Sequence, residues 1–450
     1  MTMKVVPVAC RRVALAALCA AMTFPGCTPE SDVQTSPAAE DAATAKANGP
    51  AEMRAPDDPV AIQALEDAGY LIERDSDGFV TAVSVASDSD ISDTFEHLAG
   101  LPNVTEARLS GPGIEDQGLD VLARMRKLQR LDLSDSAISD ETLTVVAKLT
   151  GLQVLRLRRV GVTDEGLDHL APLQNLRMID LRNTNIGDEG MKALAKLKSL
   201  SDVQLEKSKI TDTGVQKLVG LPLKSFNANY CTSLSDETLK AFEKIPTLEQ
   251  IQLDYTKISD EGMAYLAGLE NLKRLRIRGC DVTGQGIKEI EGASKMARME
   301  LRDTSVDDEG LAVIAEYPNL TYLDLGECRL ISAEGIQQLA PATGLTYAGF
   351  WETKLNDEAL KALDGWVNLV ELDLKSTDIS DESIDTILKF QKLENLNMAG
   401  VQQVTDEGFT KLGQLPNLKS INVANTQIGY DALDALEEQN EDLQIIEYEN

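Results

Sequence analysis

The stretch LEQIQLDYTKISDEGMAYLAGL, from Leu248 to Leu269, carries two periodicities within one short unit. Its first half alternates apolar and polar residues, which predicts a short strand. Its second half, GMAYLAGL, places apolar residues three or four apart, which predicts a helix with one apolar face. Neither element can bury its apolar side alone, so the unit needs neighbours of the same kind.

The same unit recurs from residue 104 to the end of the chain, at spacings of 23 to 25 residues. Another clear copy is LRMIDLRNTNIGDEGMKALAKL, which starts at Leu176. The shared pattern is L-x-x-L-x-L-x-x-(T/C/S/V)-x-I-x-D-x-G-L-x-x-L-x-x-L. Repeats begin at Val104, Leu128, Leu152, Leu176, Leu200, Leu223, Leu248, Leu272, Met296, Leu320, Leu345, Leu369, Leu393 and Leu418, with a last half-repeat at Leu443.

This pattern resembles the leucine-rich repeat family, in particular its cysteine-containing and bacterial GALA-like types, whose second half is similar to ITDEGL. The resemblance covers about three quarters of the chain. It implies an α/β solenoid, or horseshoe, with parallel strands on the concave face and helices on the convex face. The composition, 43% hydrophobic but 4% aromatic, fits the continuous aliphatic core that stacked repeats would bury.

The first 26 residues have the features of an export signal. Lys4, Arg11 and Arg12 precede the apolar run VALAALCAAMTF, which is too short to cross a bilayer, since a spanning helix needs about 20 residues. The run ends in FPGC, where the glycine before Cys27 resembles the lipobox of bacterial lipoproteins. That resemblance implies lipidation of Cys27 and a membrane-anchored, periplasmic or extracellular location in a bacterial cell envelope. The FP pair departs from the usual lipobox residues, which keeps ordinary signal-peptidase cleavage nearby as the alternative.

The region before the repeats predicts an N-terminal cap. Asp58 and Pro59 have the preferred chemistry of a helix start, and Gly69 that of a helix stop. A hairpin that turns at Ser76-Asp77-Gly78 and a degenerate repeat follow. The predicted organisation is a signal peptide at 1–26, a disordered tether at 27–57, the cap at 58–103, and an array of about 14 repeats with a C-terminal capping strand at 104–450.

The [ST]-D-E-G stretch in each repeat predicts a helix start. Ser or Thr can cap the helix, and Asp and Glu in the first turn face the positive end of its dipole. Repeated along the array, these acids account for much of the formal net charge of -31. They do not have the alternate spacing of calcium-loop ligands, so we expect no calcium site.

Three cysteines of the array occupy one repeat position, three residues after the second leucine of L-x-L: Cys231, Cys280 and Cys328. Threonine fills this position in other repeats, which predicts small inward side chains that bond neighbouring backbone. Successive cysteines are two repeats apart, about 9–10 Å at the usual strand spacing, which exceeds the reach of a disulfide. The same distance argues against a metal site, so no metal ligands are predicted.

The sequence offers little for catalysis. His97 and His169 fall in different repeats, and no nucleophile elbow, phosphate loop or H-E-x-x-H stretch is present. We therefore predict no catalytic residues, no cofactor and no enzymatic activity. The excess of 74 acidic over 43 basic residues also argues against nucleic-acid binding, which depends on neutralising phosphates.

The strand pattern decides which side chains leave the core. Residues 3, 5 and 7 of L-x-x-L-x-L-x-x point onto the open surface of the sheet, which we call the strand face. On four successive strands these positions carry arginine and aromatic residues, which are enriched at the centres of protein interfaces. The set is Arg274, Arg276, Arg278, Arg298, Arg302, Tyr322, Tyr347 and Trp351.

Two interpretations of this set remain open. It is either a partner-binding site or a solvated face whose arginines pair with Asp254 and Glu300 on neighbouring strands. Arg274 beside Arg298 places like charges on adjacent strands, which costs stability and favours a functional reason for them. The pattern also predicts exposed side chains for the aromatic residues next to them.

The predicted function is that of an exported, lipid-anchored leucine-rich repeat module that binds a protein partner on the concave sheet. Alanine replacement of Arg276, Arg298 or Trp351 should then weaken partner capture without unfolding the protein. The alternative is a structural or adhesive envelope protein that has no discrete ligand site. An intracellular adaptor would need an F-box-like helical module before the repeats, which residues 27–57 do not contain.

Overall fold

The computed structural model describes residues 54–448. The predicted signal peptide, Cys27 and most of the predicted tether lie outside the described residues. Each strand of the described part pairs with the next strand along the chain, so that 17 strands form one sheet. No helix of residues 54–448 is long and apolar enough to cross a membrane.

The sheet is parallel apart from its first pair. β1 and β2 form the predicted antiparallel hairpin, and each later strand is parallel to its predecessor. Residues at the same position in consecutive repeats lie opposite one another, as Leu275 and Met299 do. The strands are β1 (Leu71–Arg74), β2 (Val80–Ala86), β3 (Glu106–Ser110), β4 (Arg130–Asp132), β5 (Val154–Arg156), β6 (Met178–Asp180), β7 (Asp202–Gln204), β8 (Ser225–Asn227), β9 (Gln250–Gln252), β10 (Arg274–Arg276), β11 (Arg298–Glu300), β12 (Tyr322–Asp324), β13 (Tyr347–Gly349), β14 (Glu371–Asp373), β15 (Asn395–Asn397), β16 (Ser420–Asn422) and β17 (Gln444–Ile446).

The second half of the repeats is helical, as the spacing of apolar residues predicts. The α-helices are α1 (Pro59–Asp67), α2 (Asp140–Val146), α3 (Asp164–Leu167), α4 (Asp188–Leu194), α5 (Asp212–Lys217), α6 (Asp236–Phe242), α7 (Asp260–Met263), α8 (Gly284–Glu289), α9 (Asp308–Ile314), α10 (Ala333–Gln337), α11 (Asp357–Ala362), α12 (Ile384–Ile387), α13 (Asp406–Thr410) and α14 (Tyr430–Gln439). Short 3-10 segments are Ser92–Gly100, Leu119–Arg124, Asp168–Leu170, Ala264–Leu266, Asp381–Ser383 and Lys411–Gln414.

The core lies between the strands and the helices and is mainly aliphatic. In the repeat that begins at Leu248, Ile251 and Leu253 on the strand side and Met263 and Leu266 on the helix side are all buried. These are the apolar positions of the two periodicities, so the predicted α/β repeat is confirmed. The N-cap predicted at Asp58 is also present, since its side chain accepts a hydrogen bond from the Val60 N–H at 2.9 Å.

The residue eight positions into each repeat turns the chain away from the sheet in a left-handed conformation. Tyr255 has a φ of 53° and Glu327 one of 58°, although bulky and charged residues seldom adopt this region. A hydrogen bond to the next repeat stabilises this turn, since the Tyr255 N–H donates to the carbonyl of Arg278 at 2.7 Å. Other non-glycine residues with this conformation are Asp135, Arg159, Asn183, Lys207, Tyr230, Asp303, Glu352, Ser376 and Asn425.

The aspartate of the D-E-G stretch links one repeat to the next. In most repeats it lies in the first helical turn, as predicted, but its carboxylate reaches the following repeat. Asp236 accepts hydrogen bonds from the backbone N–H of Ser259 at 2.9 Å and from the Ser259 hydroxyl at 2.7 Å. We call this series the aspartate ladder. Its members are Asp116, Asp140, Asp164, Asp188, Asp212, Asp236, Asp260, Asp308, Asp357, Asp381 and Asp406.

The glycine of D-E-G leaves room for this contact. A methyl group at Gly262 would overlap the Oδ1 atom of Asp236, which lies directly over the glycine. The sequence pattern shows both residues but does not indicate that they meet across consecutive repeats.

Candidate functional site

The eight residues predicted to form a partner site do lie together on the strand face. They occupy four adjacent strands, β10 to β13, or the positions directly after those strands. The parallel register places Arg298 between Arg274 and Tyr322, and Tyr322 next to Tyr347. The residues are therefore adjacent, but their exposure and their partners differ.

Arg276 is buried rather than presented to solvent. Its residue exposure is 7%, beside 0% for Asp254 and 3% for Glu300. The Nε atom of Arg276 lies 2.6 Å from Asp254 and 3.5 Å from Glu300. Arg278 also donates to Asp254, at 2.8 Å. Both acids proposed from the sequence as counterions are thus engaged, and Arg276 joins three strands through them.

The predicted repulsion between Arg274 and Arg298 is compensated by the carboxylate of Glu300. The two residues are paired in register, but both guanidinium groups donate to one oxygen of Glu300. The distances are 2.8 Å from Arg274 and 2.6 Å from Arg298. Glu300, the fifth residue of its repeat, therefore supplies the negative charge that lets the two arginines lie side by side.

The aromatic residues are half-buried, so the expectation of exposed side chains at Tyr347 and Trp351 is wrong. The rings cover one another because they occupy equivalent positions in consecutive repeats. Tyr322 and Tyr347 stack with centroids 3.9 Å apart and planes 4° apart. The Arg298 guanidinium covers Tyr322, 3.6 Å from its ring centre. These three residues form the tyrosine stack, in which each member hides part of the next.

A second stack runs parallel to the first. The guanidinium carbon of Arg302 is 3.8 Å from the centre of the Trp351 ring, and the Lys375 ammonium is 4.9 Å from it. Arg302 also donates to Glu327 at 2.9 Å. We call Arg302, Trp351 and Lys375 the tryptophan stack. Gly326 lies two residues after the intervening strand β12 and has no side chain to separate Trp351 from Arg302.

The Trp351 indole N–H has no acceptor. It is the one buried side-chain nitrogen or oxygen of residues 54–448 that lacks a hydrogen-bond partner. The other tryptophan, Trp366, is fully buried, and its N–H donates to the carbonyl of Leu339 at 3.3 Å. Because a buried donor without a partner costs about 1–3 kcal/mol, the arrangement at Trp351 calls for an explanation.

Asp324 lies between the two stacks, at the end of β12 and at the fifth position of its repeat. Its Oδ1 atom accepts a hydrogen bond from the Gly326 N–H at 3.1 Å. Burial, reinforced by the Glu300 carboxylate, raises the pKa of Asp324 to about 6. Burial also raises the pKa of the Tyr347 hydroxyl, and the negative charge of Asp324 adds to this effect. At neutral pH the site thus holds a carboxylate close to its titration point.

Sequence reasoning did not include Asp324, Glu327 and Lys375 in the site. A usable signal was present in the sequence. Asp324 is the fifth residue of the repeat that begins at Leu320, and Lys375 is the seventh residue of the repeat that begins at Leu369. These are the same repeat positions that identified the arginines. Glu327 could not be found this way, since it is an eighth-position residue whose left-handed turn directs it back to Arg302.

The cysteines have the structural role predicted for them. Cys231, Cys280 and Cys328 are buried and free, and each thiol lies 3.2 Å from a carbonyl oxygen of the preceding repeat. Burial raises the pKa of the Cys328 thiol to about 11, so it stays protonated. No group of three or more potential metal ligands occurs within the described range.

Two surface cavities of about 420 and 380 Å³ lie away from these residues, one lined by Val160–Thr163 and Asn183–Asn185 with Lys207, the other around Asp116–Gly118 and Glu141–Thr142. Neither cavity is lined by a residue of the two stacks.

Comparison with known proteins agrees with this fold. A family model described as a leucine-rich repeat matches residues 124–147, 173–195, 244–267, 268–290 and 318–340. No curated protein matches the chain. A leucine-rich repeat protein from Leptospira interrogans is 18% identical, with 78% of this chain and 91% of that chain covered and a TM-score of 0.50. A chain of the yeast Rad7–Elc1 complex is also 18% identical, with 75% and 84% covered and the same TM-score of 0.50.

These comparisons and the sheet topology establish the class of the fold. The matched segments are leucine-rich repeats, and the described chain is an α/β leucine-rich repeat solenoid. At 18% identity, the similarity to the solved structures concerns the fold alone.

Proposed function

We propose that the protein is a non-enzymatic binding module that takes a protein partner on the strand face. The observation that carries this proposal is the pair of arginine–aromatic stacks on β11 to β14, with a buried tryptophan donor that no residue satisfies. Arginine, tyrosine and tryptophan dominate the centres of protein interfaces. Their repeated alignment into half-buried stacks gives a pre-organised surface that loses little side-chain freedom on binding.

The distribution of charge supports the same surface. From β3 to β16, the strand-face positions carry eleven cationic and ten acidic residues, in a chain with a net charge of -31. The strand face is therefore near neutral while the remaining surface is strongly acidic, which favours approach of a partner to this face. The cations are Arg108, Arg130, Arg156, Arg158, Arg182, Arg274, Arg276, Arg278, Arg298, Arg302 and Lys375; the acids are Glu106, Asp132, Asp180, Asp202, Glu206, Asp254, Glu300, Asp324, Glu371 and Asp373.

A photocrosslinking amino acid tests the location of the site. Glu371 is an exposed strand-face residue beside Tyr347, whereas Lys361 is exposed on helix α11. We expect a crosslinker at position 371 to capture a partner in the native host, and one at position 361 to capture none. The Tyr347→Ala change should weaken capture at 371 about tenfold or more, the usual scale for an interface anchor. Equal capture from both positions, or capture that ignores Y347A, would contradict the proposal.

Export and lipid anchoring belong to the proposal as well. The basic start, the short apolar run and the FPGC sequence support cleavage before Cys27 and acylation of its thiol and amine. Two or more acyl chains, at about 0.8 kcal/mol per buried CH₂, would hold the protein stably at a membrane of the cell envelope. We also propose the cysteine-containing, GALA-like subtype, supported by the shared cysteine–threonine position and the D-E-G helix starts.

Mass spectrometry of the mature N-terminus tests this anchoring. We expect a triacylated or diacylated Cys27 at the first position and membrane-bound protein. Cys27→Ser should abolish the lipid mass and shift the protein to the soluble fraction, while Cys231→Ser, a buried repeat cysteine, should change neither. An unmodified N-terminus at another residue would overturn the lipid anchor and leave the strand-face proposal standing.

A further inference from the structure

We propose that the edge of the solenoid beyond the carboxyl ends of β5 to β9 binds an acidic polysaccharide that carries one carboxylate on every second sugar. The eighth and tenth residues of five successive repeats form this surface, which we call the edge patch. Its members are Arg159, Gly161, Asn183, Asn185, Lys207, Lys209, Tyr230, Thr232, Tyr255 and Lys257. The edge patch uses other repeat positions than the strand face, so this inference goes beyond the proposed function and does not depend on it.

The edge patch is a basic surface on a strongly acidic chain. All ten residues are exposed, and they include four cations and no acid, whereas the whole chain has a net charge of -31. Acidic residues bound the patch on both sides, since the same two positions hold Asp135 in the preceding repeat and Asp281 in the following one. Asp135 forms an ion pair with Arg159. An anionic ligand is attracted to the edge patch and repelled by most of the remaining surface, so its charge directs it to this edge.

Two cations of the edge patch are available to a ligand. The Lys207 ammonium lies 3.9 Å from Glu206, but Lys209 and Lys257 form no ion pair with any residue of 54–448. Lys209 and Lys257 occupy the same repeat position two repeats apart, about 9–10 Å at the usual strand spacing. A linear ligand that binds both therefore carries negative charges at about this interval.

The interval distinguishes between classes of linear anion. Side chains on one face of an extended peptide recur every ~6.6–6.8 Å, which fits the two lysines poorly. A polyproline II peptide with an acid at every third residue places carboxylates about 9.3 Å apart on one face. A polysaccharide in which uronate alternates with a neutral sugar has one carboxylate per disaccharide, which also matches two repeats. The uncharged residues of the edge patch decide between the last two.

The repeats between the cationic ones carry uncharged polar side chains. Asn183 and Asn185 precede Lys207 by one repeat, and neither amide makes a hydrogen bond to a residue of the described range. Together with Gly161 and Lys207 they line the surface cavity of about 420 Å³. An amide can donate and accept at once, as neighbouring sugar hydroxyls require, whereas a proline residue offers only a carbonyl acceptor. The cavity therefore suits a neutral sugar better than a turn of polyproline.

A pair of tyrosines continues the surface from the cavity. Lys207 lines the cavity and lies 5.1 Å from the ring of Tyr230, which stacks on Tyr255 with centroids 5.0 Å apart. Tyr230 and Tyr255 are 38% and 37% exposed, and their φ values of 60° and 53° are left-handed. Bulky residues seldom adopt this conformation, and such strain is concentrated at binding sites. The exposed parts of the pair offer apolar contacts to sugar C–H groups and phenol hydroxyls to sugar oxygens.

Fluorescence anisotropy with the full-length chain tests the proposal. The probe is a labelled hyaluronan octasaccharide, in which glucuronate alternates with a neutral amino sugar. Its carboxyl-reduced counterpart is the uncharged control, and a labelled (Glu-Pro-Pro)5 peptide represents the polyproline alternative. We expect the octasaccharide to bind and both other probes to bind at least about tenfold more weakly, the value of hydrogen bonds to a charged group. Binding should weaken as salt rises from about 0.05 to 0.3 M, because the lysines are exposed.

A double substitution of lysines locates the site. Lys209→Ala with Lys257→Ala should weaken octasaccharide binding at least about tenfold and leave thermal stability unchanged, since both side chains are exposed and unpaired among the described residues. The matched control is Lys354→Ala with Lys361→Ala, which removes the same charge from two exposed lysines outside the edge patch. The control variant should bind as the wild type does.

The Tyr255→Asn variant separates binding from folding. Asparagine has the same left-handed turn at Asn183 and Asn425, so the variant should be as stable to heat as the wild type. It removes the ring that stacks on Tyr230 and should weaken octasaccharide binding about tenfold, the usual scale for an interface anchor. A purely structural role of Tyr255 would lower thermal stability and leave binding unchanged.

The outcomes distinguish this inference from its alternatives and from the proposed function. Failure of the octasaccharide to bind, or equal binding of its carboxyl-reduced form, would overturn the acidic-polysaccharide assignment. Tighter binding of the peptide would assign the edge patch to a protein ligand instead, and equal losses in the two lysine double variants would show unspecific attraction. None of these results bears on crosslinking at position 371, which tests the strand face alone.

Discussion

Replacement of Arg276 by alanine is expected to lower the free energy of unfolding by about 3–5 kcal/mol. The substitution removes the guanidinium that lies between Asp254 and Glu300, and both carboxylates are almost completely buried. A buried ion that loses its partner keeps its desolvation cost, which is why breaking such a pair costs more than the pair contributes when intact. Arg278, Arg274 and Arg298 would remain to compensate part of the charge.

Hydrogen exchange of the backbone amides in β9 to β11, measured together with thermal unfolding, checks this result. Exchange is informative because repeats in a solenoid contact mainly their neighbours and can open locally. The control is Arg302→Ala, which removes a partly exposed pair with Glu327 and the cation–π contact with Trp351, and should cost about 1–2 kcal/mol. If R276A protected its amides as well as R302A does, the Arg276 network would not be a principal support of these strands.

This expectation differs from the one based on sequence. The alternating arginines predict that Arg276→Ala weakens capture and leaves the fold intact, because a residue on the strand face is assumed to be solvated. The structure places Arg276 at 7% exposure, so its replacement acts first on stability. Arg302 and Trp351 are the better choices for testing partner binding, since they contribute to the half-buried surface without joining the Asp254–Glu300 network.

The second large effect is expected in the aspartate ladder. Asp236→Ala removes the acceptor for the N–H and hydroxyl of Ser259, which should cost about 1.5–3 kcal/mol for hydrogen bonds to a charged group. Gly262→Ala places a methyl group where Oδ1 of Asp236 lies and should cost about 1–3 kcal/mol as overpacking. The double variant D236A/G262A should be less destabilised than the sum, because alanine at 236 leaves space for the new methyl group.

A double-mutant cycle at equilibrium measures this coupling, with hydrogen exchange in α7 as the local readout. The equivalent pair in a distant repeat, Asp140 and Gly166, provides a replicate, because a methyl group at Gly166 would also overlap the carboxylate of Asp140. We call each such aspartate–glycine pair a rung of the ladder. Simple additivity at both rungs would mean that the carboxylate and the glycine do not constrain one another.

Some repeats of the chain already carry other residues at the ladder aspartate or at the glycine that faces it. Ala333 stands where a ladder aspartate would be, and the next repeat has Ala359 where most repeats have glycine. The next N-cap is then Asn356, whose own side chain accepts from the Ala359 N–H at 3.0 Å. Where the aspartate remains and the glycine is replaced, as at Thr238, the hydroxyl donates to Asp212 at 2.6 Å. This co-variation is partial, because Gly310 is kept where the preceding repeat has Gly284 instead of the aspartate, and Ala432 follows Asp406.

The alternating and three-to-four residue spacings determined the main features of this protein. They identify the strand and the helix of each repeat, the parallel stacking, the cysteine position and the membership of the strand face, because these follow from backbone periodicity and a constant repeat length. A side chain at a given repeat position must lie next to its equivalent in the next repeat. The sequence alone therefore places one row of neighbouring side chains on the strand face: Arg274, Arg298, Tyr322 and Tyr347.

Only the tertiary structure decided what those adjacent residues do. Burial of Arg276, stacking of Arg302 on Trp351 and the unsatisfied indole N–H depend on side-chain rotamers and on which neighbour is a glycine. The aspartate ladder and the left-handed turn at Tyr255 depend on contacts about 23 residues apart in sequence. Local periodicity determines which atoms can meet, whereas packing between repeats determines which of them are buried, paired or left with an unused hydrogen bond.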